Sequence, residues 1–380
     1  TGSWIIDGTL ANIAWAPSLV SYNLSWEKIR TWNAGVDFGL FKNRLTGSFD
    51  YYIRKTDDMV GPSEKLPVVL GTAVPSSNNT NLKTFGWELE LMWKDRLNNG
   101  LNYSARFTLA DSRTKITRYS NPSGLIDGFY AGKYVGEIWG YETIGIAQSD
   151  QEMAEHIGRL INGGQSNLGQ DWKAGDIMYK DLNEDGKIDA GSRTLQDHGD
   201  LKRIGNSTPR YNVGLELAAD WKGFDIRMFW QGTLKRDYFQ GSYYFWGANG
   251  RQGPWFSTAL KGHDDYFRND EASPLGTNLN SYYPRPLFNT DKNQQSQTKY
   301  LQDASYLRLK NLQIGYSLPH NSVQKMGMQH LRIFASGENL FTITSLIDFF
   351  DPESIEGGSW GHGNVYPLSR TFSFGLNVTF

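Results

Sequence analysis

Arg370-Thr-Phe-Ser-Phe-Gly-Leu-Asn-Val-Thr-Phe380 alternates without a break. Successive side chains of a strand point to opposite faces, so Phe372, Phe374, Leu376, Val378 and Phe380 share one side. Thr371, Ser373, Gly375, Asn377 and Thr379 share the other. An apolar outer face, a polar inner face and a closing aromatic are what an outer-membrane β-barrel strand needs. Phe380 is expected to serve as the assembly signal.

The same pattern recurs upstream. Trp32, Ala34, Val36, Phe38 and Leu40 alternate with Asn33, Gly35, Asp37 and Gly39. Leu45, Phe49, Tyr51 and Ile53 alternate with Thr46, Ser48, Asp50, Tyr52 and Arg54; Trp87, Leu89, Leu91 and Trp93 enclose Glu88, Glu90 and Met92. Leu101 to Leu109 repeats the pattern. A pair flanks Gly223: Tyr211, Val213, Leu215, Leu217 and Trp221, then Phe224, Ile226, Met228 and Trp230. Charges fall on one face only, as in a wall between hydrocarbon and water.

Connection lengths test this reading independently, because such barrels have short periplasmic turns and long external loops. Numbering back from Phe380, the segments 345–368, 240–301, 117–208 and 57–80 are external and long. The links 319–330, Lys222-Gly223, Asp95 to Gly100 and Lys42-Asn43 are periplasmic and shorter. A soluble sandwich has no reason to alternate in this way.

Composition agrees. The 380 residues include no Cys, 41 Gly, 20 Phe, 20 Tyr and 13 Trp, with a net charge of -2 and mean hydropathy of -0.53. No apolar run reaches the ~18 residues of a spanning helix, whereas a barrel strand needs only about 9–11 and alternates. Near-neutral charge provides no basic field for nucleic acid. The fold class is therefore all-β, an antiparallel transmembrane β-barrel segment of about nine strands with long extracellular loops. An odd count that starts in an external loop does not close. Residues 1–380 are thus expected to be the C-terminal part of a larger barrel, whose remaining strands lie outside this chain.

Several stretches carry a family resemblance: Tyr306-Leu-Arg-Leu-Lys-Asn-Leu-Gln-Ile-Gly-Tyr-Ser-Leu-Pro319, Leu331-Arg-Ile-Phe-Ala-Ser-Gly-Glu-Asn-Leu-Phe-Thr342, Phe350-Asp-Pro-Glu353 and Tyr366-Pro-Leu-Ser369. Together with the closing strand they resemble the C-terminal end of SusC/RagA-type TonB-dependent outer-membrane transporters. Gly175-Asp-Ile-Met-Tyr-Lys-Asp-Leu-Asn-Glu-Asp-Gly-Lys-Ile-Asp189 and Ile204-Gly-Asn-Ser-Thr-Pro209 resemble the same family. The resemblance implies a barrel of about 22 strands with a plugged lumen. It also implies a missing N-terminal portion holding the plug and the TonB-contacting segment, a SusD-like surface lipoprotein as lid, and glycan or peptide cargo. The alternative is a passive porin-like or adhesin barrel in the outer membrane.

Local chemistry is sparse. Asp181, Asn183, Asp185, the Lys187 carbonyl and Asp189, with Gly186 at the turn, follow the first nine positions of a calcium loop, and the twelfth is Ser192 in place of Glu. A structural Ca2+ in this external loop is one expectation; a turn held by its own Asp and Asn side chains is the other. Tyr243, Tyr244, Phe245 and Trp246, with Trp255 and Phe256, offer flat aromatics for substrate or partner contact, or for an interfacial girdle. Gly357-Gly-Ser-Trp-Gly361 beside His362 matches a nucleophile elbow, which requires a strand-to-helix turn that a Gly-rich loop does not supply. The six His residues lack metal spacing, and no catalytic set is legible. The chain is not expected to be an enzyme.

Overall fold

The computed structural model describes residues 2–13, 21, 24–61, 74–247, 259–288, 290–355 and 366–380. Nine strands form one sheet: β1 (Lys28–Leu40), β2 (Leu45–Met59), β3 (Thr80–Arg96), β4 (Asn102–Arg118), β5 (Arg210–Trp221), β6 (Phe224–Lys235), β7 (Tyr306–Ser317), β8 (His330–Thr344) and β9 (Thr371–Thr379). Each pairs antiparallel with its neighbours in chain order, so β1 and β9 are the sheet's edges.

The two ends of the sheet differ as connection lengths predict. Lys222 and Gly223 both have positive φ (48° and 88°), the geometry of a tight hairpin turn matched to strand twist. Phe41, Lys42 and Asn43 turn β1 into β2 with positive φ at all three. A short helix, His320–Gln324, sits between β7 and β8. The other end carries every long connection.

Register confirms the faces. Val36 pairs with Phe49, Phe49 with Leu89, Leu89 with Leu109 and Leu109 with Val213, an apolar row across five strands. On β9, Phe374 and Leu376 are 84% and 66% exposed. A face this apolar and this bare belongs in lipid, where every backbone group must be paired within the sheet. One expectation needs correction: charges are not confined to one face. On β4, Asp111 and Arg113 stand in register with Trp87 and Phe85, and toward the external end Arg30, Lys55, Lys83 and Lys115 stand on the outward face, where past the hydrocarbon edge there is no desolvation cost to exclude them.

The buried core lies in the external loops, outside the barrel wall. Ile126, Tyr141, Ile177, Tyr179 and Ile188 from 119–209 pack with Tyr238, Phe245, Trp246, Tyr283 and Tyr300 from 236–305 and with Leu346, Phe350 and Ile355 beyond β8. A lipid-facing wall needs no protein against its outer side, whereas loops in water must bury their own apolar surface to stay ordered. A further hairpin, Gly2–Ile6 with Thr9–Ile13, falls outside the expected strands. Its signal is Asp7-Gly8, a two-residue turn with both φ positive.

Candidate functional site

The inner wall is polar. Ser48 and Asp50 on β2, Glu88 and Glu90 on β3, Thr108 on β4 and Gln231 on β6 line a concave trough of about 510 Å³. Arg106 donates to Glu90 at 2.7 Å, and Asp50 stands directly opposite Glu88 in register. Water, or a polar solute, is the natural occupant of this side.

The external module is pinned by one carboxylate. Asp176 is 0% exposed. It accepts from Arg285 Nε and a terminal guanidinium nitrogen (both 2.7 Å), from Lys292 Nζ (2.9 Å), from Asn293 Nδ2 (2.9 Å) and from the Lys173 N–H (2.9 Å). Burial alone would push this carboxyl up; the donors from Arg285, Lys292, Asn293 and Lys173 outweigh it and hold it below the usual carboxylate range. Burial also drives the Lys292 ammonium down, so that charge depends on Asp176. The cluster ties 119–209 to 236–305, which are far apart in sequence.

The aromatic segment Tyr243–Trp246 forms a helical turn within this module. Its expected contact role is corrected for Phe245, which is fully buried and meets Trp246, Tyr283, Tyr300 and Tyr282 edge-on at 5.0–6.5 Å. Those contacts consume the ring surface a ligand would need. Trp246 is also buried, 4.6 Å from Tyr300, yet it borders a cavity of about 270 Å³ with His263, Tyr266, Tyr283, Leu287 and Phe288. Its indole N–H and the Tyr283 hydroxyl are buried without partners. Tyr244 is half-buried and gives its carbonyl to His263 Nε2 (2.9 Å). The Tyr243 side chain, Trp255, Phe256, 357–361 and His362 lie outside the described residues.

The loop 181–189 contains the turn hydrogen bonds of the second expectation. Asp181 Oδ2 accepts from the Gly186 N–H (2.9 Å), Asn183 Oδ1 from the Asp185 N–H (3.2 Å) and Asp185 Oδ1 from the Lys187 N–H (3.1 Å). The Lys187 ammonium lies 2.5 Å from Asp189 Oδ2 and 3.7 Å from Asp185 Oδ2, where a divalent ion would compete with it. Among the described residues no three carboxylate or imidazole groups converge on a metal position, although Asp181 Oδ1 is buried without a partner. Asp200, a candidate substitute for the missing twelfth ligand, braces the loop, accepting from the Leu182 and Asp189 N–H groups at 2.7 and 2.9 Å.

A family model described as TonB dependent receptor-like, beta-barrel, matches residues 7–340. The chain belongs to this family. TonB-dependent receptor P3 of Formosa agariphila is 29% identical over 380 residues, covering 94% of this chain and 34% of that protein. TonB-dependent receptor SusC of Bacteroides thetaiotaomicron is 27% identical over 372 residues, covering 96% and 33%. The chain thus spans about a third of the length of these curated relatives. Among solved structures, the RagAB peptide transporter superposes with a TM-score of 0.71 at 24% identity, covering 100% of this chain and 38% of that one. The RagAB importer in its open-open state gives 0.64 at 23%, covering 94% and 35%. At that identity the superpositions speak for the fold. The chain is an outer-membrane β-barrel of the TonB-dependent receptor family, similar to SusC and RagA proteins, and that family is one of transporters.

Within this family architecture the resembling motifs acquire physical roles. Asp351 Oδ2 and Glu353 Oε2 of Phe350-Asp-Pro-Glu353 accept from the buried Arg308 guanidinium at 2.6 and 2.8 Å, and Glu353 Oε1 accepts from Lys310 Nζ at 2.9 Å. Lys310 is unpaired in the ladders to both neighbours, a β-bulge that aims it at Glu353. The signal was in the sequence: Lys310-Asn311 breaks the alternation of β7. Ile204-Gly-Asn-Ser-Thr-Pro209 closes the external loop onto 135–136, through Asn206 Nδ2 and Thr208 Oγ1 to the Val135 carbonyl (3.0 and 2.9 Å).

Proposed function

We propose that residues 1–380 form the C-terminal part of the barrel of an energised importer that carries oligomeric nutrients, glycans or peptides, across the outer membrane. The remaining strands and a plug are supplied by the rest of the same protein, and a SusD-like surface lipoprotein covers the external face. TonB drives the plug aside through a segment in that missing portion. One observation carries the reading. All the long loops stand at one end of a sheet with a polar inner wall, and three of them share a packed aromatic core. A passive pore needs no such investment at its mouth, whereas a transporter that captures solute under a lid needs a fixed rim. The peptide cargo named for the RagAB structures is that complex's own, and both cargo classes stand for this chain.

The test is solute binding by the intact transporter–lipoprotein complex, with glycan and peptide mixtures measured side by side by calorimetry, followed by uptake in cells with and without TonB. Saturable binding of one class and TonB-dependent uptake are expected. Uptake unchanged by loss of TonB would favour the passive barrel.

A further inference from the structure

The outward face carries a row of cations where the apolar band ends. Arg30 on β1 is paired in register with Lys55 on β2, Lys55 with Lys83 on β3, and Lys83 with Lys115 on β4. Registered partners share a face, and the next rows toward the membrane centre are Trp32, Ile53, Phe85 and Arg113, then Ala34, Tyr51, Trp87 and Asp111, apolar on β1 to β3 and charged on β4. Trp32 and Tyr51 meet edge-on at 6.3 Å, and Phe49 stacks on Trp87 at 6.4 Å, an interfacial aromatic belt. The strands run from this row into the external loops, so the row lies at the outer leaflet's headgroup level.

Four like charges on four adjacent strands repel one another, and no sheet gains from that arrangement by itself. Arg30 is neutralised by Asp57, whose other oxygen accepts from Asn81 Nδ2 (3.1 Å). Lys55, Lys83 and Lys115 have no carboxylate partner among the described residues. At the end of the row, Tyr134 lies 4.0 Å under the Arg113 guanidinium and 5.6 Å from Lys115 Nζ, adding an amphipathic ring beside a fifth cation. With strands about 4.8 Å apart the row spans roughly 14 Å, the scale of one lipid headgroup.

We propose that the Arg30–Lys55–Lys83–Lys115 row is a binding site for phosphorylated headgroups of outer-leaflet lipid. Phosphate oxygens would lie against the three unpaired ammonium groups while acyl chains run down the apolar residues of β1 to β3 below them. Each basic residue at such a surface strengthens lipid association about fivefold, so three give roughly a hundredfold.

The experiment uses the full-length transporter in mild detergent and native mass spectrometry with bisphosphorylated lipid A against its dephosphorylated form. The wild type should retain the phosphorylated lipid roughly a hundredfold better. The triple variant Lys55→Gln/Lys83→Gln/Lys115→Gln should lose that preference, the triple Lys→Arg variant should keep it, and Arg54→Gln, on the lumen face beside Lys55, should leave it unchanged. Heat-modifiable gel migration checks that each variant is folded. Should the Gln triple fail to fold, the single variants should each cost about fivefold. Equal retention of the two lipids by the wild type would overturn the proposal. So would an undiminished preference in the folded triple or singles, or displacement of the lipid by equimolar inorganic phosphate.

Discussion

Asp176→Asn keeps the shape of a fully buried side chain and removes its charge. The Lys292 ammonium, 1% exposed, and the Arg285 guanidinium would then face a neutral amide. Removing one partner of a buried ion pair costs about 3–5 kcal/mol, because the other charge is left uncompensated. Lys292 keeps the Gln170 and Asp171 carbonyls as acceptors at 2.8 and 2.9 Å, and Arg285 is partly exposed, so the lower figure applies. About 3 kcal/mol is a factor of roughly 150 in the opening equilibrium of the external module. The Ile177 N–H donates to Asn293 Oδ1 (3.0 Å) and the Tyr179 N–H to Gln165 Oε1 (2.7 Å), so these amides report that opening. Hydrogen exchange on the full-length protein should show their protection falling by about two orders of magnitude while amides of β3 and β4 stay protected. Adding Lys292→Met should recover part of the loss. Protection of Ile177 and Tyr179 within about twofold of wild type would show that Asp176 does not hold the module.

Leu376→Arg places a charge in hydrocarbon at ~2–4 kcal/mol, and Asn377→Arg faces the lumen, so outer-membrane levels should fall for the first and hold for the second; equal levels would refute the face assignment. If the loop 181–189 is held by its own hydrogen bonds and the Lys187 ammonium, chelation should leave its proteolysis unchanged and Asp200→Ala should increase it; a chelator effect reproduced by Asp185→Ala would decide for calcium. His263 accepts the Leu260 N–H at Nδ1 (2.9 Å), and with Nε2 donating to main-chain carbonyls it is neutral; burial pulls its pKa down. A base with a lowered folded pKa gives stability that is present above its unfolded pKa near 6.5 and lost as pH falls below it. Acidification from pH 7.5 to 5 should therefore loosen the aromatic module in the wild type and have less effect in His263→Gln, read by tryptophan fluorescence; identical pH profiles would exclude His263 as the cause.

Some of the site was legible residue by residue and some was not. The alternation that identified the wall also contained its irregularities, since the doubled polar pair Lys310-Asn311 is the bulge and Asp7-Gly8 the extra hairpin. The aromatic segment was visible by composition, yet Phe245 turned out to be core, because whether a loop aromatic is free or buried depends on what other loops bring to it. The role of Asp176 is not legible locally for the same reason: its partners Arg285 and Lys292 lie in another loop, and nothing nearby in sequence marks a carboxylate that distant cations will enclose.

The nine strands of the wall, the apolar outer band of each and the end that carries the long loops were determined by sequence alone. Each rests on a period of two and on near-neighbour turns, and antiparallel strands consecutive in the chain pair with their own neighbours. Tertiary structure alone decided where the core is, which carboxylates are buried, and that Arg30, Lys55, Lys83 and Lys115 form one row. In sequence those four cations are unremarkable and widely separated. Only the register of four strands, set jointly by the turns between them and by the lipid that their apolar rows must meet, lines them up.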